Sequence, residues 1–197
     1  ETTIKQADGL TATVQESQHS ATADIHIPSQ TAEENLGGSV VLPIPPLSGE
    51  NASVTVHTGT AQPILVEIPI DGNDATTVAC LVNEDGSETI LRTTLLAGGH
   101  ITVSIPDGAT VHIRDNEKNF QDVQGHWAES AISFVAAREL FSGETSSAFA
   151  PEDSMSRAML MTVLARLDGV DAAGETAYQQ GMSWAMAQGI SDGQNPD

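Results

Sequence analysis

The chain has 197 residues, with 7 Lys or Arg against 27 Asp or Glu, a formal net charge of −20. That length suits one or two domains that bury a core without disulfide staples. The charge argues against nucleic acid and anionic membranes as partners, since both need clustered cations; no run approaches the roughly 18 apolar residues of a membrane span, and one cysteine, Cys80, rules out a disulfide framework or a multi-cysteine metal site.

In chain order, short β-branched runs come first. Weak strand signals lie at 10–15 and 21–27, followed by Val40-Val41-Leu42, Val54-Thr55-Val56 and Ile64 to Ile70, which leads into the turn Asp71-Gly72-Asn73-Asp74. Val78 to Val82 and Glu88 to Leu91 flank Asp85-Gly86, the pattern of a β-hairpin. Ile101 to Ile105 and Thr110 to Ile113 alternate with period 2, so one face of each is buried. Short strands at near-regular spacing predict a β-sandwich or open barrel over residues 1–119.

Near residue 119 the period changes. Apolar residues recur at Ala128, Ala131, Ile132, Val135 and Leu140, then at Leu160, Val163, Leu164 and Leu167. Ser156 fits an N-cap and Gly169 the residue just past a helix end. A third helix is predicted over about 176–188, with Thr176 and Gln179 as a capping box and Gly189 ending it. Asp115 to Asn119 reads as the linker. The fold class is therefore α+β in two domains, an all-β 1–119 and a helical 120–197. Acids outnumber bases 16 to 4 in the first part and 11 to 3 in the second, so the acidity is a solvated surface and not a tail.

Catalytic signals are absent. No G-x-S-x-G, phosphate loop or dinucleotide glycine pattern occurs, and no histidine stands beside a plausible nucleophile. His57, His100 and His112 lie in or beside separate strands, and Asp71-Gly72-Asn73-Asp74 lacks the spacing of a calcium loop, so no metal or other cofactor is expected. Cys80, inside an apolar strand, reads as a buried inert thiol.

Shifted by 50 residues, the chain matches itself: Ala131 to Gly143 lies over Gly181 to Gly193, with aromatic on aromatic at Phe134 and Trp184 and apolar on apolar at Ile132/Met182, Val135/Ala185 and Leu140/Ile190. A period of this length points to stacked helical units. The second unit stops at Asp197, before any counterpart of 149–169, and Glu1-Thr2-Thr3 opens with neither an initiator Met nor a signal sequence; the expectation is a segment of a longer exported protein.

Phe120-Gln121-Asp122-Val123-Gln124-Gly125-His126-Trp127-Ala128 resembles the opening F-x-D-V-x-x-H-W-A of an S-layer homology repeat. Ala131-Ile132, Leu140-Phe141-Ser142-Gly143, Phe149-Ala150-Pro151 and Met155-Ser156-Arg157-Ala158 follow in the family's order. The resemblance covers one repeat at about 120–169 and a partial one at about 176–197. It implies all-helical repeats and a non-catalytic role: anchoring an exported bacterial protein to the cell wall by non-covalent binding of an acidic, often pyruvylated, secondary cell-wall polysaccharide. It also implies that Arg157 contacts the acidic sugar and that Trp127 helps to form the groove. Two alternatives stand beside it: a β domain acting as an adhesin or carbohydrate-binding module, against which no Phe, Tyr or Trp precedes Phe120, and the C-terminal tail of an exported enzyme. Incomplete helical repeats also leave self-association open.

Arg157 follows a helix cap, where unpaired N–H groups and the helix dipole favour an anion and a guanidinium adds a planar fork for a carboxylate. The plainer alternatives are a salt bridge to Glu152 or Asp153, or a solvated arginine. Ser156 reads as the cap, with a ligand contact as the alternative. In the family pattern a glutamate completes the capping box; Met159 stands there, so the cap is expected to lose its partner. Trp127 reads as packing, with a sugar-facing wall as the alternative. Trp184 reads as core, His126 as structural, and the five methionines as core filling or faces for missing repeats.

Overall fold

The computed structural model describes residues 1–6, 9–17, 19–35, 37–49, 52–71 and 75–193. The chain forms two compact units, Glu1–Glu117 and Lys118–Asp197. The first is β-rich and the second carries helices.

In the first unit, β1 (Thr2–Lys5), β2 (Thr11–Glu16), β3 (Ala21–His26), β5 (Ala52–His57), β11 (Thr110–Asp115), β7 (Thr77–Val82) and β8 (Glu88–Ile90) form one sheet in the order β1-β2-β3-β5-β11-β7-β8. A second sheet runs β4 (Ser39–Val41), β6 (Ile64–Pro69), β10 (His100–Ile105), β9 (Leu95–Ala97). Neighbours are antiparallel except β3 with β5 and β4 with β6. Alternation aims one face of each sheet into a single core: Val54, Val56, Val111 and Ile113 from the first, Val66, Ile68, Ile101 and Val103 from the second. This core is built from aliphatic side chains, which fits a segment without aromatics. The predicted hairpin forms with Cys80 opposite Ile90 and Gly86 at φ +82°. The expected turn at Gly72-Asn73-Asp74 lies outside the described residues.

Cys80 is fully buried. Near it on the first sheet, His112 Nδ1 and Arg114 Nε hold Glu88 at 2.6 and 3.1 Å, and the hydrogen bond to His112 is the main reason the Glu88 carboxyl sits below its ordinary range. Among the described residues no cluster of His, Cys, Asp or Glu could hold a metal, and no helix is long and apolar enough to cross a membrane. Three elements were absent from the sequence reading: β1, β9 and the six-residue helix α1 (Ser29–Glu34).

The second unit contains α2 (Glu129–Ala137), α3 (Arg157–Leu167) and α4 (Ala177–Ala187), the last preceded by a 3-10 turn at Gly174–Thr176. Each α-helix ends in the same way. The residue after the C-cap takes a left-handed conformation and donates to the carbonyl three back; the next residue donates five back. Gly169 and Val170 do this at α3, bonding Arg166 and Ala165 at 3.2 and 2.9 Å. Gly189 and Ile190 do it at α4, bonding Met186 and Ala185 at 3.0 and 2.9 Å. At α2 the left-handed residue is Glu139, at φ +54°, where the 50-residue shift places Gly189. An L side chain is strained there, and an ion pair from Lys118 Nζ to Glu139, 3.4 Å, offsets only part of that strain.

Helices α3 and α4 pack closely. A Cβ on Gly181 would lie 2.6–2.7 Å from the backbone and Oγ1 of Thr162, so only glycine permits this approach. The approach decides which face of α3 is buried: Met161, Thr162 and Ala165, while Leu160 and Leu167 of the predicted apolar stripe are exposed. Trp184 is half-buried rather than core; its Nε1 donates to Asp168 Oδ2 at 2.8 Å, linking α4 to the end of α3. Of the methionines, Met161 is buried and Met155 and Met186 are exposed. Thr176 makes no capping hydrogen bond, contrary to the predicted capping box, because it already belongs to the 3-10 turn at φ −98°, ψ 5°. Gln180, not Gln179, reaches back, its Oε1 accepting from Ala173 N at 3.2 Å.

Candidate functional site

The opening turn, residues 120–128, is held to the turn at 149–151 by one carboxylate. Asp122 accepts from the backbone N–H groups of Phe149 at 2.9 Å and Ala150 at 2.7 Å, and these bonds hold its carboxyl below the usual aspartate range. Ala150 sits at φ +60°, a conformation these bonds help to maintain. Phe120 meets Phe149 edge to face at 5.4 Å, and Phe120, Val123, Ile132 and Ala136 form the small core behind. Two motifs that read as separate stretches of sequence are thus one structural piece.

His126 ties this piece to the approach to α3. Its Nδ1 accepts from Ala128 N at 3.2 Å, which leaves the proton on Nε2, and Nε2 lies 2.9 Å from Glu152. The structural reading of His126 fits these bonds. They also engage Glu152, one of the two acids expected for Arg157.

At the start of α3, Ser156 is the N-cap, at φ −77°, ψ 161°, its Oγ accepting from Met159 N at 3.2 Å. The cap does not lose its partner as expected: Met159 Sδ lies 3.4 Å from Ser156 N, a weak sulfur acceptor in place of a carboxylate. Arg157 is the first helical residue, and its side chain is 35% exposed. Its Nη2 donates to Ser191 Oγ at 2.8 Å and lies 4.0 Å from the Asp192 carboxylate. The loop after α4 therefore meets the head of α3, bringing together residues 34 and 35 positions apart. Nothing in the local pattern around Arg157 announces Ser191 or Asp192; the only available signal was that both fall within the shifted repeat.

Trp127 does not pack into the core. It is 90% exposed, with its ring 5.5 Å from the His126 ring.

Two further arginines carry structure. Arg138 is fully buried, stacks 3.6 Å over the Phe134 ring and donates to Phe134 O at 3.2 Å; burial pulls its guanidinium down to about 10, still charged at neutral pH. Arg166 donates to Ala172 O and Leu140 O, both at 2.8 Å, and lines a cleft of about 550 Å³ with Phe141, Phe149, Met155, Met159 and Tyr178. Ser156, Arg157 and Trp127 do not line this cleft.

The second unit thus carries a capped, partly exposed arginine at the head of α3 and an exposed indole at Trp127. Residues 119–158 match the family model of the S-layer homology domain. The C-terminal part of the chain thus carries a segment of the S-layer homology type, a kind of anchoring module that typically binds cell-wall polysaccharide and implies a cell-surface, cell-wall associated bacterial protein. No curated protein and no solved structure matches the chain.

Proposed function

We propose that residues 120–197 form all-helical S-layer homology repeats, one at about 120–169 and a partial one at about 176–197, and that they anchor the protein non-covalently to an acidic, pyruvylated wall polysaccharide. Residues 1–119 are a β-sandwich that this anchor tethers to the wall, and neither part is catalytic. Arg157 receives the sugar's carboxylate on its planar fork, reinforced by the N–H groups at the start of α3. Ser156 holds those groups in place, and Trp127 offers an indole face to pyranose C–H groups. The observation that carries this reading is the position of Arg157, partly exposed behind a formed cap and inside the matched segment.

The chain and its ligand are both acidic, so long-range steering is repulsive and affinity must come from contacts at the site. The test is co-sedimentation with purified bacterial cell walls. The wild-type chain pellets, and Arg157→Ala remains in the supernatant. Equal pelleting of the two would remove Arg157 from the site.

A further inference from the structure

Ser156 and Met159 stand at the N-cap and third position of α3, the spacing of a capping box, in which the third residue reaches back to the cap's own N–H. Glutamate or glutamine does this with an oxygen. Met159 does it with sulfur: Ser156 N donates to Met159 Sδ at 3.4 Å, while Ser156 Oγ accepts from Met159 N at 3.2 Å. A thioether is a weak acceptor, so the geometry of the box is complete but one of its two bonds is poor. Met159 is also half-buried and lines the cleft of about 550 Å³, where a small oxidant can reach it and one more oxygen atom has room.

We propose that Met159 is a modification site: hydrogen peroxide converts its thioether to the sulfoxide, and the sulfoxide oxygen becomes the acceptor for Ser156 N–H. In that step a sulfur lone pair attacks the peroxide, the O–O bond breaks, the S–O bond forms and water leaves; the sulfur is oxidised by two electrons and the peroxide is reduced. Methionine oxidation ordinarily puts a polar group among apolar ones and disrupts packing. Here the new oxygen meets an N–H already aimed at the sulfur, and it stands in for the side-chain oxygen of a capping glutamine. Oxidation therefore tightens the start of α3. Met161, two positions on, is the contrast: it is 7% exposed on the buried face of α3, where a sulfoxide disrupts packing. The modification is independent of what Arg157 binds.

The test uses the full chain carrying Met155→Leu, Met182→Leu and Met186→Leu, which leaves Met159 and Met161 as its methionines. It is treated with dilute hydrogen peroxide, the oxidised positions are read by peptide mass spectrometry, and the second unit is followed by tryptophan-monitored melting. Met159 gains one oxygen before Met161 does, and the melting temperature rises by about 2–5 °C, the shift for strengthening part of one cap in a unit of this size. In the otherwise wild-type chain, Met159→Gln supplies the oxygen without oxidation and raises the melting temperature similarly, while Met159→Leu, which has no acceptor, lowers it. The proposal is overturned if Met159 stays unoxidised or is oxidised after Met161, if its oxidation leaves the melting temperature unchanged or lowers it, or if Met159→Gln is no more stable than wild type.

Discussion

The approach of α3 to α4 makes Gly181→Ala an informative perturbation. The new methyl would sit 2.6 Å from Thr162 Cα, 2.6 Å from its Oγ1 and 2.7 Å from its N. Two of these are backbone atoms and cannot rotate away, and Thr162 Oγ1 is held by Ala158 O at 2.8 Å. Restoring ordinary contact moves α4 outward by roughly 1 Å, and because the clash is with backbone the cost falls in the upper part of the range for overpacking, about 2–3 kcal/mol. The alanine returns about 1 kcal/mol of helix propensity. The net is a loss of about 1–2 kcal/mol, or roughly 5–15 °C in a unit of this size. Both tryptophans, Trp127 and Trp184, lie in the second unit, so their fluorescence follows its melting alone, and the bond from Trp184 to Asp168 makes it sensitive to α4 moving. A melting temperature equal to or above wild type would mean that propensity prevails and that the helices do not meet at Gly181.

Glu139→Gly relieves the left-handed strain at the end of α2 and is expected to stabilise the unit by about 0.5–1 kcal/mol after loss of the exposed Lys118 pair, whereas Gly189→Ala, at the matching position of α4, costs about 1 kcal/mol; both are read by thermal denaturation. Ser156→Ala costs about 1 kcal/mol, while Thr176→Ala, which removes no cap, stays within about 0.5 kcal/mol in the same assay. The Asp122 carboxyl is depressed in the folded state, so its contribution is present above the unfolded aspartate value of about 3.9 and disappears as pH falls through the lower folded value. Asp122→Asn therefore lowers the melting temperature at neutral pH and flattens the acid limb of the stability profile; an unchanged acid limb would show that the bonds to Phe149 and Ala150 contribute nothing.

What could be read from the sequence was whatever short range determines. Alternating β-branched runs located the strands of both sheets, because a half-buried strand must repeat with period 2. Ser156, Gly169 and Gly189 marked helix ends because capping chemistry is local. The strands β1 and β9 were missed because they are short edge strands, and α1 because six residues carry little periodicity. The face of α3 was misjudged because Gly181, 19 positions beyond Thr162, selects small residues at the contact over the leucine stripe. Trp127 was read as packing because an aromatic near a helix start commonly packs; here Phe120 and Phe149 fill the core behind it. At the candidate site, Ser156 and Arg157 were identified from their own neighbourhood. Asp122 as an acceptor for Phe149 and Ala150, and Ser191 as the hold on Arg157, are pairings about 30 residues apart, which a one-dimensional pattern does not encode.

Arg157 is proposed to grip an acidic group on the wall polysaccharide. The most direct test is titration of the chain with that polysaccharide before and after mild-acid removal of ketal-linked pyruvate. Saturable binding to the intact polymer is expected, with its loss on the stripped polymer and no binding to either by Arg157→Ala. Equal affinity for intact and stripped polymer, or wild-type affinity in Arg157→Ala, would contradict it.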